Sequence, residues 1–290
     1  QPREQNINRY TVYTPFAAYY VAESQALDGC VKLRVDGNKS VRIDVSLFNK
    51  SGKAVKTYLS SYIDLYLRHG SVRDIETKWY KSCKATKYGF VFSVTEYMSR
   101  TSCMQHYAAV LREYNGKVQS TTSSVGFKGA GSNQLYAAQS LFEGKITLIK
   151  EYTEFTENAV AADLLPLELK SGESVSVAYT IAVSDYEQTA KLNAVKAEKK
   201  IEGVYQDIPS LDLKTDGSIN QTALQYFLHN VLRQTEFCSR AKNYAGELIG
   251  IRDIFQQLEC ALLWIPDYCR GKIIEALGFI GEDGRAPRQY

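Results

Sequence analysis

The densest chemistry in the chain stands near its end, where Gly250-Ile251-Arg252-Asp253-Ile254-Phe255-Gln256-Gln257 sets a guanidinium beside a carboxylate. A carboxylate accepts from two hydroxyls while a guanidinium donates from a fixed planar fork, so the pair suits orientation of a hydroxyl-rich ligand. At a helix start the same two residues also read as an ion pair and a dipole-favoured cap. Downstream lies a second charged run, Asp283-Gly284-Arg285-Ala286-Pro287-Arg288-Gln289. Glu282 and Asp283 are the nearest candidates for a general acid, but they fall in a turn after a helix. No catalytic residue is assigned in residues 1–290.

Other reactive side chains form no constellation. His69, His106 and His229 keep no metal-ligand spacing with one another or with cysteine, so no metal site is expected. His69 and His106 read as loop or strand-end residues without a carboxylate companion. Six cysteines, Cys30, Cys83, Cys103, Cys238, Cys260 and Cys269, include no C-x-x-C pair, and the expectation is reduced, buried thiols in a cytoplasmic protein. With 35 basic and 32 acidic residues the net charge is +3, which leaves no electrostatic footprint for nucleic acid. No apolar run approaches the ~20 residues of a membrane-spanning helix, and Gln1 to Asn6 lack the apolar region of a secretory signal.

Two kinds of element must position these groups. From about Arg9 to Val183 the hydrophobic period is two. Val31, Leu33 and Val35 alternate with polar residues, as do Val41, Ile43, Val45 and Leu47 beyond Asp36-Gly37-Asn38, which together predict a hairpin. The same alternation runs through Phe90, Phe92 and Val94, through Ile146 and Leu148, and from Val175 to Val183. Asn115-Gly116 marks a further hairpin turn after Tyr107–Tyr114. Such strands have one buried and one wet face and imply an antiparallel β-sandwich. The 21 tyrosines suit sheet packing and sugar stacking alike, and packing is the expected use.

At Ser184-Asp185-Tyr186-Glu187, a capping-box pattern, the period changes. A half-exposed helix follows over 188–201, with Leu192, Val195 and Ile201 as its sparse apolar positions. A buried amphipathic helix is predicted over 224–238, a second from Arg252 to Ile265, and a third from Pro266 to Gly281 carrying Ile273, Ile274 and Leu277. Trp264 reads as core, and Lys196, Lys199 and Lys200 as a solvated face. The domains are therefore expected at 1–183 (sandwich), 184–215 (linker helix region) and 216–290 (helices joined by short turns, the unit of bundles and toroids).

The run from Gly250 to Gln257, then Pro266, Arg270, Ile273 and Asp283 to Gln289, resembles glycoside hydrolase family ninety-four in order and spacing. That resemblance implies an N-terminal β-sandwich of the super-sandwich type, linker helices and the start of an (α/α)6 catalytic barrel. It implies reversible, inverting phosphorolysis of β-glucosides to α-glucose 1-phosphate, with inorganic phosphate as co-substrate and no cofactor. Glu247 replaces an arginine of cellobiose-type members, and Arg288-Gln289 stands where His-Gln is frequent. The motif is most similar to the branch acting on β-1,2-linked glucooligosaccharides.

By resemblance, Arg252 and Asp253 hold glucosyl hydroxyls, and Arg288 and Gln289 complete the substrate-binding set. The general acid and the phosphate site of that family lie later than this motif, so residues 1–290 are expected to form a truncated barrel that is inactive alone. The expected partners are a β-glucan oligosaccharide, the remainder of the barrel and a second copy in a homodimer, with neither nucleic acid nor membrane. Two other readings stand beside it: a carbohydrate-binding or assembly module built on the tyrosine-rich sandwich, and a transglycosylase domain of a cyclic β-1,2-glucan synthase.

Overall fold

The alternating strands assemble into two antiparallel sheets. The computed structural model describes residues 7–14, 17–36, 40–65, 67, 79–97, 103–130, 134–154, 159–196, 217, 220, 223–224, 227, 250–262 and 265–288. The strands are β1 (Asn8–Tyr13), β2 (Ala18–Glu23), β3 (Leu27–Asp36), β4 (Ser40–Asn49), β5 (Val55–Ile63), β6 (Trp79–Thr86), β7 (Gly89–Tyr97), β8 (Cys103–Glu113), β9 (Gln119–Ser123), β10 (Glu151–Glu154), β11 (Ala159–Leu169) and β12 (Ser174–Ser184). Nine form one sheet in the order β1-β2-β3-β4-β12-β8-β7-β6-β10, and three form another in the order β5-β11-β9. The chain divides into a sandwich unit, residues 1–68 with 77–201, and a helical unit, residues 69–76 with 202–290.

Alternation decides what fills the space between the sheets. Val177 and Tyr179 of β12, Ala108 and Val110 of β8, Phe90 and Phe92 of β7 and Cys83 of β6 meet Ala159, Ala161, Leu165 and Leu167 of β11. Each large side chain so buried contributes about 1.5–3 kcal/mol. The far face of β11 is covered in turn. Val160, Ala162 and Leu164 pack beneath Phe127 of a short helix α1 (Ser124–Lys128), Ala138 and Ile146, with Leu141 of α2 (Gln139–Glu143) at the rim. A strand covered on both sides reads as a continuous apolar run, which is why β11 shows no alternation. Its Pro166 pairs with Tyr58 of β5, but the pairing with β9 ends at Leu164, so the missing N–H interrupts no ladder there.

Crossing from one sheet to the other requires polar anchors. Asn49, fully buried at the end of β4, donates from Nδ2 to the carbonyls of Lys53, Leu169 and Lys170 at 2.9, 2.9 and 3.0 Å. That clamp ties the start of β5 to the end of β11. Between β6 and β7 the chain turns through Lys87-Tyr88, and Gly89 adopts φ 147°. A Cβ at Gly89 would collide with the Val110 carbonyl oxygen, so only glycine fits both the backbone and the neighbour.

Several expectations need correction. The β3–β4 hairpin forms with Asp36 opposite Ser40, its turn residues 37–39 lying outside the described residues. Asn115-Gly116 closes no hairpin: β8 belongs to the large sheet and β9 to the small one, so this turn is a crossover. Ile146 and Leu148 lie in irregular chain, Ile146 buried and Leu148 65% exposed. Among the described tyrosines Tyr179 is fully buried and Tyr62, Tyr107, Tyr114, Tyr152 and Tyr268 pack against buried clusters, as expected, whereas Tyr10, Tyr13, Tyr20, Tyr58, Tyr88, Tyr136 and Tyr186 are exposed. Cys83 and Cys269 are buried thiols as expected, but Cys103 is exposed and Cys30 half-buried.

The helix after the sandwich, α3 (Glu187–Lys196), docks on the outer face of the large sheet through Ala190 and Ala194 against Ala109 and Ala182. The two alanines stand four positions apart, which puts them one above the other, and their small size lets the helix approach closely. Leu192 and Val195, the sparse larger apolar positions of this half-exposed helix, are 54% and 69% exposed. The capping box is incomplete: Ser184 Oγ accepts from the Tyr186 N–H at 3.3 Å, whereas Glu187 pairs forward with Lys191.

In the helical unit, α4 (Ile251–Ala261) and α5 (Pro266–Leu277) pack through Ile254, Leu258, Ala261 and Cys269, with Ile265, Tyr268 and Ile273 at the margin. Pro266 opens α5 and Gly278 ends it, three residues before the expected stop at Gly281. Leu262, Ile274 and Leu277 face outward at 45%, 56% and 50% exposure. Of the helix expected over 224–238, only Leu224 and Phe227 are described, and Phe227 is 64% exposed. His69, His229, Cys238, Trp264 and Gln289 lie outside the described residues.

Candidate functional site

The first turn of α4 carries the motif. Gly250 takes the N-cap position with extended backbone and no side chain to offer, so the helix start must find an acceptor elsewhere. It finds the second half of the motif: the Ile251 N–H donates to the Arg288 carbonyl oxygen at 3.3 Å. Residues 37 apart in sequence are thereby held together at one helix end. Arg252 is exposed and Asp253 half-buried in that first turn. Asp253 is the third helical residue, where the helix dipole favours a carboxylate whatever else it does. Arg288 is exposed and contributes its backbone to the cap.

The chain reaches Arg288 through a closed turn. The Gly281 N–H donates to Arg285 O at 2.9 Å and the Gly284 N–H to Gly281 O at 2.9 Å. Asp283 accepts from the Arg285 N–H at 3.1 Å and lies 3.3 Å from its guanidinium, both side chains well exposed. Asp283 thus organises a solvated turn, as its sequence context implies. This arrangement brings Arg252, Asp253 and Arg288 to one helix end, with a guanidinium and a carboxylate on adjacent residues.

The sandwich holds polar groups that sequence reading missed. Asp163, in the middle of the apolar run Ala159 to Leu165, is completely buried between the sheets. Arg112 Nη1 reaches both its oxygens at 2.9 Å, Ser120 Oγ donates at 2.6 Å and Tyr179 Oη at 3.1 Å. Burial first, and the Asp163 charge second, push the Tyr179 hydroxyl well above the usual phenol range. Burial likewise pushes the Cys83 thiol up, against the lowering influence of Lys81. Lys81, 2% exposed, pairs with Asp64 and sits 5.7 Å from the Phe92 ring centre. The signal available in the sequence was a carboxylate interrupting an apolar run, which demands a buried partner.

His106 also departs from expectation. It lies within β8, and its Nδ1 is 3.2 Å from Asp185 Oδ1, because the register of Ser184 opposite Tyr107 carries the next residue of the chain beside it. Among the described residues no group of three or more His, Cys, Asp or Glu side chains is arranged to hold a metal. No described helix is long and apolar enough to cross a membrane.

Fold and site together define a protein with an antiparallel β-sandwich and a separate helical unit that carries a charged motif at a helix start. The sequence matches no family model and no curated protein. Among solved structures it is similar to a presumed kojibiose phosphorylase from the human microbiome, at 11% identity and TM-score 0.37, over 74% of this chain and 26% of that one. It is also similar to the heparan sulfate lyase HepC, in mutant form, from Pedobacter heparinus, at 8% identity and TM-score 0.25 over 62% and 22%. A TPR-domain containing protein from Parabacteroides distasonis aligns at 10% identity and TM-score 0.24 over 74% and 38%. The chain spans about a quarter of the phosphorylase's length. Likeness at this level bears on neither reaction nor substrate.

Proposed function

We propose that residues 1–290 belong to an inverting glycoside phosphorylase that cleaves β-1,2-glucooligosaccharides with inorganic phosphate and yields α-glucose 1-phosphate. What supports this reading is the juxtaposition at the start of α4: the Arg288 carbonyl caps Ile251, so Gly250 to Asp253 and Ala286 to Arg288 meet as one motif. Arg252 and Asp253 then fix the glucosyl ring by charge-assisted hydrogen bonds, and Gln289 follows the capping residue. The outward apolar side chains Leu262, Ile274 and Leu277 suit helices that belong to a larger helical layer, the (α/α)6 barrel of the proposal. Homodimeric assembly and a cytoplasmic setting complete it.

The chemistry requires a carboxylic acid to protonate the leaving oxygen while phosphate attacks from the opposite face. No described residue is assigned that role, Asp283 being engaged in its own turn. Residues 1–290 are expected, on this proposal, to bind saccharide without turning it over. The test is titration calorimetry with sophorose, cellobiose and chitobiose, on the wild type and on Arg252→Ala. Expected is a preference for sophorose that the substitution removes. Preference for cellobiose, or release of phosphate from α-glucose 1-phosphate and sophorose by residues 1–290 alone, would contradict the proposal.

A further inference from the structure

The outer face of the large sheet carries a cleft that the phosphorylase reading does not use. Its volume is about 400 Å³, within the usual range for small-ligand sites. The sheet register explains its shape. Tyr19, Lys32, Asp44, Ala178 and Glu113 stand opposite one another in a single row across β2, β3, β4, β12 and β8. Four strand spacings of about 4.8 Å give that row a span of roughly 19 Å. Ala178, with Ser46 and Ser176 paired in the neighbouring row, makes a low floor. Taller side chains rise on either side, Tyr19 and Lys32 at one end and Arg42 and Glu113 at the other.

The walls are set before any ligand arrives. Arg42 grips Glu113 through two parallel bonds of 2.6 and 2.9 Å, and its Nε donates to Asp44 at 2.8 Å. Arg34 approaches Asp44 from the other side at 3.4 Å. Lys32 Nζ lies 5.3 Å from the centre of the Tyr19 ring, both residues being half-buried, a contact modest enough to be exchanged for a ligand. The result is a shallow surface with donors and acceptors side by side, one aromatic ring and hydroxyls on the floor.

Charge selects the ligand class. The lining holds two cations, Lys32 and Arg42, and two anions, Asp44 and Glu113. An anionic ligand gains no net attraction from such a set, and a shallow polar floor gives an apolar ligand little to bury. Vicinal hydroxyls, each both donor and acceptor, match fixed guanidinium and carboxylate groups, and a sugar ring's C–H face matches tyrosine. We propose that this cleft binds a neutral oligosaccharide, independently of Arg252 and Asp253.

The test uses the whole chain and a panel of neutral tetrasaccharides, β-1,2-, β-1,3- and β-1,4-glucotetraose and mannotetraose, with a sulfated heparin tetrasaccharide as contrast. Ser176→Tyr raises the floor at an exposed position, and Tyr19→Ala removes one wall. Circular dichroism verifies that each variant is folded. The double variant Arg252→Ala/Asp253→Ala is expected to keep binding of the best neutral tetrasaccharide, and each cleft substitution added to that double variant is expected to weaken it at least tenfold. Affinity unchanged when Ser176→Tyr and when Tyr19→Ala is added to the double variant would overturn the cleft. So would tighter binding of the sulfated sugar, or no neutral binding at about 10 mM, where even weak sites fill. Loss of all binding in the double variant, with Ser176→Tyr unaffected, would overturn the cleft and leave the α4 site standing.

Discussion

The sandwich and the helical unit each place an aspartate near an arginine, in opposite surroundings. In the sandwich, Asp163 is sealed between the sheets and Arg112, Ser120 and Tyr179 surround it. In the helical unit, Arg252 and Asp253 stand at a helix start over a small cluster of buried side chains, which among the described residues holds Ile254, Leu258, Ala261 and Cys269. A buried carboxylate is committed to its partners, because any unmet oxygen there is costly. A half-buried one in the first turn of a helix is still reached by solvent. The contrast separates charge sealed inside a fold from charge at its surface.

The largest effect is expected where that contrast is sharpest. Asp163→Ala strands the Arg112 guanidinium between the sheets and should cost about 3–5 kcal/mol, readable as a lower denaturation midpoint with unchanged denaturant slope. A cost below 1 kcal/mol would break the comparison, since Asp163 would then behave like a surface residue.

Next in size is a dependence on alkaline pH. Tyr179 is held above its ordinary value of 10.0 in the folded chain. Between that value and the higher folded one, the unfolded tyrosine has lost its proton and the folded one has not, so unfolding releases a proton. Stability is thus fully present below pH 10 and falls above it, by about 1.4 kcal/mol per pH unit for this group. Tyr179→Phe should remove that share of the slope, measured by unfolding at pH 9 to 11. An identical slope in the variant would show that the phenol gains nothing from its burial beside Asp163.

Smaller still is the effect expected in the helical unit. Asp253→Asn forfeits a carboxylate's favourable interaction with the helix dipole, about 0.3–1 kcal/mol, and should leave the thermal midpoint nearly unmoved. A loss of several kcal/mol there would make Asp253 a structural residue like Asp163.

What the sequence made legible follows the same division. Strands with one wet face announced themselves: the β3–β4 hairpin and β12 came from alternation alone, and α4 from the spacing of Ile254, Leu258 and Ala261. Strand β11 was silent because α1, α2 and the opposing sheet cover it on both faces. Asn115-Gly116 signalled a turn correctly but not its outcome, since local turn chemistry cannot say which sheet the next strand joins. In α3 the alanines dock and the larger residues point away, the reverse of a reading that ranks positions by hydrophobicity. The helix-start motif was legible because its residues are contiguous. The outer-face cleft was not, because sheet register gathers Tyr19, Lys32, Asp44, Glu113 and Ala178 from across the chain.

The most direct test of the division is a titration of sophorotriose into Asp253→Asn and the wild type under matched conditions, with the cleft blocked by Ser176→Tyr in both. The account predicts a saccharide isotherm in the wild-type background that Asp253→Asn weakens at least tenfold, about 1.4 kcal/mol, while the fold is unchanged. Equal affinity in the two proteins would contradict it and return Asp253 to the role of a helix cap.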